Sequence, residues 1–169
     1  MLKIMNDLRP FFEDCYRRVH VREYAKLMGV SPPTASKLLS SYRKEGLLVM
    51  EKDKNYMLFH ANRESEDFIG LSRIYWGMRL RELTEFMERK LADPTIVLFG
   101  SLSKAEAKKD SDMDIAVFAE KKDLNTTTFE KKLGRQIQIL WFRSIKDMKN
   151  RELANNILNG YVLRGRLGL

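Results

Sequence analysis

One cysteine, Cys15, and two histidines, His20 and His60, are all the thiolate and imidazole ligands in this chain of 169 residues. An internal disulfide is therefore excluded, and a Cys/His zinc cluster has too few ligands to form, so any metal must be held by oxygen. Missing too is an apolar run long enough to span a bilayer, and the opening MLKIMNDLRPFF lacks the uninterrupted apolar core of a signal peptide. The expectation is a cytoplasmic protein with no membrane partner. Internal repeats and low-complexity tracts are also absent. Phe12, Cys15, Tyr16 and Val19 fall at helical spacing, which predicts a core role for the lone thiol.

What is present is a globular composition, 44% hydrophobic and 32% charged, with a net charge of +8. That size fits one ordinary domain or two small ones, and the basic excess points to a polyanionic partner. The charge is unevenly placed: residues 1–60 carry net +4, residues 61–93 net −1 and residues 94–169 net +5. A near-neutral spacer thus separates two basic ends.

The stretch with the most chemistry is Ile96 to Phe118, IVLFGSLSKAEAKKDSDMDIAVF. Thr95 to Phe99, β-branched and aromatic between Pro94 and Gly100, predicts a short buried strand. Gly100 at its exit would let backbone approach a ligand closely, and Ser101 offers a hydroxyl and an N–H at the start of a short helix, a geometry suited to phosphate oxygens. In the second apolar run Met113, Ile115 and Val117 alternate with Asp112, Asp114, Ala116 and Phe118, so the two carboxylates share a face. Such a pair suits one or two Mg²⁺ ions bridging the phosphates of a nucleotide.

Gly100-Ser101, ten residues, then Asp112-Met113-Asp114 resembles the signature of the DNA polymerase β-like nucleotidyltransferases, especially the minimal prokaryotic ones. The resemblance implies that Gly100 and Ser101 hold a nucleoside triphosphate, that Asp112 and Asp114 hold the metal, and that a third acid on a later strand activates the attacking hydroxyl. It also implies departures. Where the family usually continues with a small residue, Arg and Gly, this chain has Ser103, Lys104 and Ala105; Lys104 keeps the charge for nucleotide binding without the bidentate fork of Arg. The later strand, QIQILWF from Gln136 to Phe142, puts Gln138 at the usual third acidic position, and an amide cannot act as a general base. Glu120 and Glu130 are the remaining acids that would substitute.

Upstream, Val21 to Val30 sets Val21, Tyr24, Ala25 and Met28 on one helical face and ends at Gly29. Ser31 then caps a second helix with Pro32 at its first position and Ala35, Leu38, Leu39 and Tyr42 as its apolar stripe, stopped by Gly46. Its other side carries Thr34, Lys37, Ser41 and Lys44, a basic face of a kind that lies in a major groove. Leu47–Glu51 and Tyr56–His60 predict a hairpin with Lys52 and Lys54 at its tip. Together, residues 19–61 resemble the winged helix-turn-helix of bacterial and archaeal regulators, which implies binding to double-stranded DNA.

From Glu64 to about Leu91 the pattern is helical, with Trp76, Leu80, Leu83, Met87 and Leu91 as a seam and Phe68, Ile69, Leu71, Ile74, Tyr75 and Met78 on further faces. This linking helix is expected to be buried against both domains or against a second copy, the latter giving a homodimer, or else to pack only beneath its own sheet. Beyond the Asp strand come a polar loop and helix over 120–132, one or two helices over 147–158, and a final short strand or tail at Tyr161-Val162-Leu163. The expectation is an α+β chain: a winged helix-turn-helix at 1–62, the linking helix at 63–93 and a nucleotidyltransferase-like domain at 94–169 with a small mixed sheet. Two functions fit, a DNA-binding transcriptional regulator with a weak or inactive transferase domain, and an active nucleotidyltransferase acting on a protein or small-molecule hydroxyl.

Overall fold

The computed structural model describes residues 2–168; Met1 and Leu169, the outermost residues of the first and last expected domains, lie outside the described residues. The fold is α+β, and its contacts divide it into two compact units. One runs up to Tyr75 and includes Ala105–Lys109; the other comprises Trp76–Lys104 and the chain from Asp110 onward.

In the first unit, α1 (Lys3–Asp7) and α2 (Arg9–Glu13) precede α3 (Val21–Met28) and α4 (Pro32–Lys44). Gly29 closes α3 in the left-handed conformation at φ 65°, and the Ser31 side chain caps α4 by accepting from the Thr34 N–H. The hairpin β1 (Leu48–Asp53) and β2 (Tyr56–Ala61) follows, with Asp53 paired to Tyr56, so its loop is only Lys54-Asn55 and Lys52 belongs to β1. Phe11, Phe12, Tyr24, Ala35, Leu39 and Phe68 are buried. Below them the Tyr42 hydroxyl donates to the Asp7 carboxylate at 2.7 Å and the Tyr24 hydroxyl to the Asp7 backbone carbonyl at 2.8 Å. Burial first, then Asp7, through its charge at Tyr24 and through the hydrogen bond and then the charge at Tyr42, hold both phenols well above their usual range.

Cys15 is buried as expected, but not on a helix. α2 stops at Glu13, because Val19 must reach extended geometry to exchange backbone hydrogen bonds with Phe59 at 3.0 and 2.8 Å. Tyr16 consequently points outward, under the guanidinium of Arg63 at 4.1 Å. The Cys15 N–H donates to the Ala107 carbonyl at 2.7 Å, which explains why 105–109 belongs to this unit.

The linking segment is one helix, α5 (Glu66–Lys90), and the division between units falls inside it, between Tyr75 and Trp76. In the second unit, β3 (Thr95–Phe99), β4 (Met113–Phe118), α6 (Thr127–Leu133), β5 (Ile137–Phe142), α7 (Arg151–Leu158) and β6 (Tyr161–Arg164) build a four-stranded mixed sheet in the order β5-β4-β3-β6. β4 and β5 are parallel; the other pairs are antiparallel. One face, with Ile96, Leu98, Ile115 and Val117 fully buried, takes the later part of α5: a Cβ on Gly77 would touch Tyr161 and Leu163. The other face carries Val97, Phe99 and Ala116, packed against Ile157 and Leu153 of α7. That second face is apolar at one end and acidic at the other.

Candidate functional site

Register builds the acidic end. Phe99 pairs with Asp114, and Asp114 with Gln138, so Phe99, Asp114 and Gln138 project from the same face on three adjacent strands. Asp112 lies one residue before β4 and still converges there, because its Oδ2 accepts the Gln138 side-chain amide at 2.6 Å. Gly100 follows β3 with φ 70°, and a Cβ on it would lie 2.2 Å from Asp114 Oδ2. Both the left-handed backbone and the close approach demand glycine.

Asp114 is half-buried and has no hydrogen-bond or ion-pair partner among the described residues. Burial first, and the neighbouring Asp112 charge second, push its carboxyl above the usual carboxylate range. Two adjacent carboxylates without a protein cation form an incomplete electrostatic arrangement, and hard oxygen donors of this kind match a hard divalent cation. The donor set is two carboxylates and an amide; among the described residues no three His, Cys, Asp or Glu side chains cluster to hold a metal ion.

The short helix expected after Gly100 is a single 3-10 turn, Gly100–Leu102. The Ser103 hydroxyl donates to the Gly100 carbonyl at 2.9 Å and braces the turn, while the Ser101 hydroxyl has no partner among the described residues. Lys104 donates from Nζ to Asn156 Oδ1 on α7 at 2.6 Å. Asn156 escaped the sequence because its partner is remote in the chain and nothing in RELANNIL marks one asparagine from the next. Arg135 escaped likewise: it donates to the Ser111 carbonyl and lies 5.2 Å from the Trp76 ring centroid, steadying the approach to Asp112.

Neither remaining acid replaces Gln138. Glu120 is exposed beyond the far end of β4, about 20 Å along the strand from Asp114 at the usual rise. Glu130 accepts the Ile137 N–H at 3.0 Å on the outer edge of β5, which occupies it in closing the sheet.

In the first unit, Thr34, Lys37, Ser41 and Lys44 are all exposed along α4, as are Lys52 and Lys54 in the hairpin. The hydroxyls are engaged locally, Thr34 with Ser31 at 2.9 Å and Ser41 with Glu45 at 3.0 Å. Lys37 and Lys44 make no ion pair among the described residues.

A glycine turn abutting an acidic strand on a small mixed sheet is the layout of a nucleotide-handling domain. The chain belongs to the polymerase beta nucleotidyltransferase family, whose model matches residues 81–165. No curated protein and no solved structure matches the chain.

Proposed function

We propose that the protein is a DNA-binding transcriptional regulator whose nucleotidyltransferase domain binds a Mg²⁺–nucleoside triphosphate and transfers nucleotide slowly or not at all. The observation that carries the nucleotide half is Asp114: half-buried, partnerless, against Gly100 and beside Asp112. These residues fit a divalent cation, with Asp112 and Asp114 as its ligands and Gly100, Ser101 and Lys104 around the phosphates. Bound there, Mg²⁺ would neutralise charge building on the phosphates during transfer. Gln138 donates its amide to Asp112 and has no basic oxygen to take an acceptor's proton, and a positioned general base is worth about 10²–10⁴-fold.

The DNA half rests on the exposed basic face of α4 and on the hairpin after it, an arrangement in keeping with a winged helix-turn-helix over 1–62. Residues 63–93 then serve as linker, the family match beginning at 81 within it, and 94–169 as the transferase domain. Ile74, 44% exposed on α5, fits a homodimer that pairs two DNA-binding units. Cytoplasmic residence follows from that role; among the described residues no helix is long and apolar enough to cross a membrane.

Calorimetry with ATP, GTP, CTP and UTP, each with and without Mg²⁺, tests the first half. Metal-dependent binding of at least one is expected, and binding of none would reduce the domain to a scaffold. Transfer to a hydroxyl acceptor should be slow in the parent and faster in Gln138→Asp; brisk transfer by the parent would instead establish an active nucleotidyltransferase.

A further inference from the structure

Lys104 is half-buried and its ammonium meets a neutral amide oxygen, with no carboxylate in ion-pair range among the described residues. An asparagine carbonyl fixes an ammonium in place without cancelling its charge, which a carboxylate at the same position would do. Both ends of the lysine are tied: its backbone N–H donates to the Ser101 carbonyl at 3.3 Å, and its Nζ to Asn156. The anchor is itself rigid. Asn156 sits on α7 beside the fully buried Ile157, and the helix is followed by Gly160, where a Cβ would lie 2.6 Å from the Leu98 carbonyl. A free lysine would lose rotamer entropy on gripping a ligand, much of which is already spent here.

We propose that Asn156 is a positioning residue that presents an uncompensated Lys104 charge to the distal phosphates of the nucleotide, so that the site selects triphosphates over monophosphates. The inference rests on the nucleotide reading above. Gly100 abuts Asp114, and Lys104 lies further along the same turn, held by α7. On this proposal the cation meets one end of a phosphate chain whose other end meets the acid pair. It also offsets the repulsion that Asp112 and Asp114 exert on any polyphosphate.

The test is titration of the full chain with ATP, AMP and inorganic tripolyphosphate in the presence of Mg²⁺, together with melting temperatures. Asn156→Asp keeps the shape of the contact and converts it to an ion pair. It should weaken ATP and tripolyphosphate about tenfold or more, change AMP by less than about twofold, and leave the melting temperature at or above the parent's. Asn156→Ala should lower ATP affinity about three- to tenfold, as loss of one hydrogen bond implies. Equal losses for ATP and AMP, or an Asn156→Asp protein that binds ATP like the parent, would leave Asn156 a purely structural contact while the nucleotide site stands. A parent that binds neither ATP nor tripolyphosphate overturns the nucleotide reading and this inference together.

Discussion

The basic face of α4 and the acidic end of the β3–β5 sheet carry opposite charge, and on the function proposed above both meet phosphate. α4 offers Lys37 and Lys44 directly, exposed and unpaired among the described residues. The sheet offers Asp112 and Asp114, which repel phosphate until a cation lies between them, with Lys104 alone supplying positive charge from the turn. The first design is open, salt-sensitive and tolerant of small displacements. The second is half-buried and depends on register.

The largest effect should come from breaking the acidic side. Asp112→Asn with Asp114→Asn should eliminate Mg²⁺-dependent nucleotide binding by calorimetry while leaving DNA binding in gels unchanged. On the basic side, Lys37→Glu with Lys44→Glu should weaken DNA binding at least about 100-fold and lower the slope of affinity against salt by about two counterions, with nucleotide binding intact. A double mutant that still shifts DNA like the parent would remove α4 from the interface.

The two regions also differ in how much of them the sequence discloses. Helical spacing places Thr34, Lys37, Ser41 and Lys44 on one face, and Ser31-Pro32 marks where that helix begins; both are local properties and both agree with α4. Strand alternation likewise puts Asp112 and Asp114 together. What alternation cannot give is the partner strand's register, so the bond from Gln138 to Asp112 and the one from Lys104 to Asn156, 26 and 52 residues apart, stay hidden until the sheet is assembled. Residues 14–19 misled for a related reason: their helical spacing is local, and the bridge from Val19 to Phe59 that overrides it is not.

The acidic side carries an electrostatic stability cost, set by the Asp114 charge. Because the folded state raises the Asp114 carboxyl above its ordinary value of 3.8, the folded protein binds more protons than the unfolded chain between the two values. The contribution of this one group is therefore fully present below pH 3.8 and is lost as pH rises through the folded value. Asp114→Asn removes that titration. Its melting temperature should exceed the parent's at neutral pH, and the gap should close on acidification below the ordinary value. Added Mg²⁺ should narrow the gap as well, by stabilising only the parent. A gap that does not change with pH would mean that the Asp114 charge is not what the fold strains against.

The smallest effect sharpens the contrast from the basic side. Lys54 opens the two-residue turn between Asp53 and Tyr56 with φ 52°, a position where hairpin turns favour glycine. Holding an L-residue there costs roughly 1–2 kcal/mol, of which glycine's greater unfolded-state freedom would return about 0.5–1. Lys54→Gly should thus stabilise the protein by about 0.5–1 kcal/mol in urea melts. If the lysine is kept there for its charge, the same change should lower DNA affinity a few-fold and reduce the salt slope by about one. Opposite signs for stability and DNA affinity would mark the strained lysine as a phosphate contact; a gain in stability with unchanged DNA binding would confine the interface to α4.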